Sequence, residues 1–132
     1  MAKDVKVEAK KGDKGLIDWE IDGKKAKDSR IEFDKGDNDV LVEFKLQDTT
    51  SRKLRFDTEQ PIWIHENAAG QCPSPGATDK QIEVVSCDDN TLKLVNKNDK
   101  ESILRYQLNF VDQANKAEPC DPEFKNGGTS AQ

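Results

Sequence analysis

The stretch Val40-Leu41-Val42-Glu43-Phe44-Lys45-Leu46 decides the fold class of this chain. Val40, Val42, Phe44 and Leu46 fall at every second position, the period that lines up side chains on one face of a pleated strand. Val5 and Val7 repeat the pattern near the start, and Ile17, Trp19 and Ile21 repeat it again. About nine such runs recur along the chain, each closed by a polar turn, a spacing that reads as an all-β sandwich or barrel. Strands are predicted at 3–9, 16–21, 29–33, 39–47, 52–56, 61–66, 80–86, 91–96 and 102–111. No stretch sustains a 3.6-residue period, so no substantial helix is expected.

The turns carry suitable chemistry. Gly12, Gly15 and Gly23 can take positive φ, and Asp34 to Asn38 and Asp88 to Asn90 hold side chains that bond their own turn backbone. Residues 67–79 form one long connection in which Pro73 and Pro75 forbid a central strand, and a crossing between sheets is its expected role. With 132 residues the chain has room for one core. Its 33 % apolar and 36 % charged content suits an antiparallel sandwich, which buries only one face of each sheet. The expected core draws on Trp19, Phe44, Leu92, Leu94, Leu104, Leu108 and Phe110.

After Val111 the alternation stops. Residues 1–111 therefore read as the sandwich and 112–132 as a proline-containing segment. Phe124 should dock Glu118 to Phe124 against the fold, and Thr129 to Gln132 should fray.

Charge and cysteine content narrow the function classes. The net charge is −5 with no basic stripe interleaved with aromatics, so nucleic acid is not expected as a partner. No stretch approaches the ~20 apolar residues of a membrane span, and the first residues lack the apolar run of a secretory signal. A soluble cytoplasmic protein with no membrane partner is the expectation. Cys72, Cys87 and Cys120 form no Cys-x-x-Cys pair, so free thiols are the default. If strands alternate up and down, Cys87 and Cys120 lie toward one end and Cys72 toward the other. Any bridge should then join Cys87 to Cys120.

One histidine and one methionine exclude a blue-copper site, and they leave catalytic triads only His65 as base. A zinc site from the three cysteines and His65 matches no short ligand spacing. In Ile62-Trp63-Ile64-His65-Glu66 the isoleucines should face inward, leaving Trp63 and His65 half exposed as ligand-binding candidates. Asp34, Asp37 and Asp39 are the candidates for calcium, although their spacing is not that of an EF-hand. No cofactor and no catalytic residue is expected.

Tyr106-Gln107-Leu108-Asn109-Phe110-Val111-Asp112, then Glu118-Pro119, Asp121-Pro122 and Asn126-Gly127-Gly128, together with Cys72-Pro73, carry a resemblance. They resemble the DP-EP family, a small group of uncharacterised bacterial proteins named for those dipeptides. The resemblance implies an immunoglobulin-like antiparallel β-sandwich with no established activity. The functional expectation is a non-enzymatic protein-interaction or assembly module, engaging an unknown protein or a second copy of itself. The alternative is a glycan- or small-ligand-binding sandwich, with or without calcium.

Overall fold

Val40, Val42 and Phe44 point into the core as their alternation requires, each no more than 1 % exposed. The computed structural model describes residues 2–13, 16–51, 53–66, 73–112, 116–117 and 120–128, with backbone alone for 116–117 and 120–123. In chain order the strands are β1 (Ala2–Lys11), β2 (Ile17–Ile21), β3 (Lys24–Lys25), β4 (Arg30–Phe33), β5 (Val40–Asp48), β6 (Arg55–Phe56) and β7 (Ile62–Glu66). They continue with β8 (Ile82–Cys87), β9 (Thr91–Asn96), β10 (Glu101–Leu108), β11 (Phe110–Val111), β12 (Lys116–Ala117) and β13 (Cys120–Gly127). The described residues contain no α-helix, only a 3-10 turn at Ala26–Asp28.

The described residues form three sheets: β3-β2-β1-β5-β9-β8, β4-β13-β10-β7 and the small β12-β11-β6. Side chains from all three meet in one hydrophobic cluster. The sheets are not purely antiparallel, which corrects the sequence expectation. β1 runs parallel to β5, from Ala2 opposite Leu41 to Ala9 opposite Asp48, and β13 runs parallel to β4. A half-buried strand shows the same two-residue period whichever way its neighbour points, so alternation carries no information on direction. Strict up-and-down order fails with it, and so does the placing of the cysteines by odd and even strands.

The connection after β7 does cross between sheets, since β7 belongs to the four-stranded sheet and β8 to the six-stranded one. Two expected strands are cut short for visible reasons. Ser51 and Lys53 adopt positive φ, while Asp48 accepts from the backbone N–H of Thr50 and of Leu54, so the strand expected from 52 begins only at Arg55. The run expected over 102–111 breaks at the buried Asn109. Its backbone N–H donates to Pro61 O and its carbonyl accepts from Asp57, which hands the chain from β10 to the small sheet.

The C-terminal segment contributes more than a docked tail. β13 lies between β4 and β10, and Phe124 is fully buried. Pro122 is tolerated because it sits at a register shift: Arg105 pairs with Glu123, Gln107 with Cys120, and pairing to β4 begins only at Glu123. An amide donor is thus not required at the one position that lacks it. Phe124 stacks on Tyr106 at 4.4 Å and meets Phe33 edge-on at 5.6 Å. Residues 129–132, expected to fray, lie outside the described residues. Of the expected core only Trp19 is not fully buried; it packs against the cluster, stacked on Phe110 at 4.7 Å.

Candidate functional site

β7 positions the two aromatic ligand candidates. Ile62 and Ile64 are buried, Trp63 is half-buried and His65 is exposed. The indole Nε1 of Trp63 donates to Gln60 Oε1 at 2.9 Å, which fixes the ring. His65 lies opposite Arg105 of β10.

Asp34, Asp37 and Asp39 fall in the β4–β5 loop, and the described residues hold no group of three His, Cys, Asp or Glu side chains able to bind a metal ion. What converges there is amide chemistry. The side-chain amide of Asn98 donates to the carbonyls of Asp34 at 2.8 Å and Asp37 at 2.9 Å, and its oxygen accepts from Gly128 N–H. Asn96 and Asn126 exchange amide bonds in both directions, at 2.7 and 3.0 Å. Asn126 also donates to Gln81 Oε1 at 2.9 Å, and Gln81 donates to Ser102 Oγ at 2.8 Å. These buried amides tie the β4–β5 loop, the β9–β10 turn and the end of β13 together. Their polar atoms satisfy one another, which makes them a fastening and not a receptor.

Beside this fastening lies a groove of about 350 Å³ between Phe33, Lys35, Glu101, Lys125 and Gly127. Gly127 is obligatory at its floor, since an added Cβ would come within 2.6 Å of Lys35 N. The groove carries charges of both signs, with Lys125 Nζ 3.9 Å from Glu32.

Cys87 is a half-buried free thiol at the end of β8. Burial, helped by Asp88, Asp57 and Asp89, pushes it up to about 11, the opposite of an activated nucleophile. Cys72 and the Cys120 side chain lie outside the described residues, and with them the expected Cys87–Cys120 pairing. Burial likewise raises the phenol of Tyr106 far above its ordinary range, with Asp22 a lesser cause. Its hydroxyl has no hydrogen-bond partner among the described residues.

The remaining unusual feature is a strand edge. Open edges expose unpaired peptide groups, and proteins shield them by shortness, charge or cover. β3 is two residues long and both are lysines; β4 is four residues long and carries Arg30 and Glu32. β7 is capped where Ile64 N–H donates to Ala77 O at 2.9 Å, a bond supplied by the connection that follows it. β8 has six residues and is the outer strand of the larger sheet.

Val84 and Val85 of β8 are 44 % and 58 % exposed, the most exposed large apolar side chains of any described strand. Lys97 N–H donates to Gln81 O, and Asp88 N–H to Thr91 O. Counting in twos from the first bonded pair, Glu83 turns its peptide groups to β9 and Val84 turns its own outward. The register then shifts between Val84 and Ser86, so Val85 is a bulged residue. Sequence reasoning passed over this edge, although the adjacent valines Val84-Val85 break the alternation and mark a bulge in retrospect.

Neither a family model nor a curated protein matches the chain. No helix among the described residues is long and apolar enough to cross a membrane.

Proposed function

We propose that this protein is a non-enzymatic interaction or assembly module that works through the β8 edge. The single observation behind the reading is a six-residue outer strand with Val84 and Val85 exposed and no described element against it. An extended segment added there gains main-chain hydrogen bonds, which give such additions their affinity, and the two valines offer apolar contacts that select its side chains. The two larger sheets, sharing one core, read as the layers of an immunoglobulin-like sandwich. The Asp-Pro and Glu-Pro words of residues 118–122 support placing the chain with the DP-EP family. The free Cys87 thiol is in keeping with a reducing, cytoplasmic setting.

An array of extended peptides, followed by amide NMR of the bound protein, tests the reading. Binding peptides should shift the amides of residues 82–87 and lose affinity in Val84→Lys and Val85→Lys variants. Peptide-induced shifts that avoid β8 would refute it. The second reading, a glycan or small-ligand site, draws on the outward-facing Trp63, held by Gln60 beside the exposed His65. Glycan-array binding abolished by Trp63→Ala would favour it.

A further inference from the structure

We propose that the occupant of the β8 edge is β8 of a second copy of this chain, running antiparallel about a two-fold axis. This rests on the reading of β8 as the interaction edge and names its partner. The argument is the distribution of charge along the strand. The half-buried Asp79 and the exposed Lys80 stand just before β8, and Asp88 and Asp89, both exposed, stand just after it; within the strand only Glu83 is charged. Asp79 and Asp88 are each committed to their own turn: Asp79 Oδ1 accepts from Gln81 N–H at 2.9 Å, and Asp88 Oδ1 accepts from Asn90 N–H at 2.9 Å and Thr91 N–H at 2.8 Å. Lys80 is left as the outward charge of its end, and Asp89 as that of the other.

An antiparallel pairing centred on Ile82–Cys87 sets Lys80 opposite the Asp89 of the second copy, and the two-fold axis repeats the pair at the other end. With Val85 as the extra bulged residue, Val84 faces its own copy across the axis and Glu83 faces Ser86, so no like charges stand directly opposite each other within the strand. A parallel pairing would stack Lys80 on Lys80, Glu83 on Glu83 and Asp89 on Asp89, each a destabilising contact. The edge is therefore complementary to itself in one direction only, which is the requirement of an isologous contact. The bulge at Val85 limits the regular pairing to a few residues. An edge this short buries less than the ~1,200 Å² of a standard interface, so the dimer should be weak and reversible.

Sedimentation velocity at low ionic strength tests this, over roughly 10 μM to 1 mM, the range in which a contact of this size dissociates. The wild-type mass should climb with concentration toward twice the 14.8 kDa of one chain. Lys80→Asp and Asp89→Lys, both at exposed positions, should each move the midpoint about tenfold or more to higher concentration by placing like charges together. Combining them should restore the wild-type midpoint, because the charge pair is re-formed with its signs exchanged. A chain that stays monomeric throughout, or a double variant no better than the singles, overturns the self-pairing. Either result leaves the β8 reading standing if peptides still shift residues 82–87, and that reading falls separately if they do not.

Discussion

Replacing Phe124 by Ala removes the ring at the centre of the aromatic cluster. Phe124 is fully buried, stacks on Tyr106 at 4.4 Å, meets Phe33 edge-on at 5.6 Å and lies 6.2 Å from Phe44. Truncating a buried phenylalanine costs about 3–5 kcal/mol, including the cavity left behind. The two closest ring pairs, each worth about 0.5–1.5 kcal/mol beyond burial, place this site at the upper end of that range. The expected loss is then about 4–5 kcal/mol, a large share of the ~5–15 kcal/mol total stability of a domain this size. Trp19→Ala is the internal comparison. Trp19 belongs to the core expected from sequence, yet it is only half-buried and makes one close ring contact, with Phe110. Its loss should be at most half as large. Urea unfolding at 25 °C, read as the shift in midpoint at constant slope, measures both. A Phe124→Ala loss below about 2 kcal/mol, far under the ordinary range for such truncations, would refute the placement of β13 in the core. So would a loss smaller than that of Trp19→Ala.

Asn126→Asp converts the donor that serves Asn96 and Gln81 into a buried carboxylate facing two carbonyl oxygens. At about 1–3 kcal/mol for each group left unmatched, the variant should lose about 2–6 kcal/mol at neutral pH. The folded state resists ionisation, so this acid's pKa is raised above its unfolded value near 3.9. The penalty should therefore shrink as pH falls toward that value, where both states are protonated. Unfolding of variant and wild type compared at neutral and acid pH checks the sign, and a pH-independent difference would contradict it. Cys87 should alkylate far more slowly in the folded protein than in the unfolded chain at pH 8, by about 100-fold if reactivity follows thiolate fraction, and accelerate toward pH 11. Peptide mass spectrometry after timed iodoacetamide treatment reads it, and equal rates in the two states would contradict the burial of the thiol.

Alternation in β1, β5, β9 and β10 was enough, on sequence alone, to determine an all-β chain and which side of each strand is buried. Burial of one face imposes a two-residue period that is local and visible. It also placed Ile62 and Ile64 inward and Trp63 and His65 outward, for the same reason. Order and direction of the strands were decided only by the tertiary structure. Whether β1 lies beside β5 in parallel depends on which edge remains free after β2 has folded back on it, and no local pattern encodes that. β13 was illegible for a related reason. Its proline and polar residues argue against a strand, and they are accommodated only because the register shift opposite Tyr106 spares Pro122 a donor and a central position spares Phe124 from water. The β8 edge is the sharpest case. Val84 and Val85 look like core residues in the sequence, and they stand exposed because β8 is outermost in its sheet, a fact that belongs to the assembled strands and to no stretch of chain.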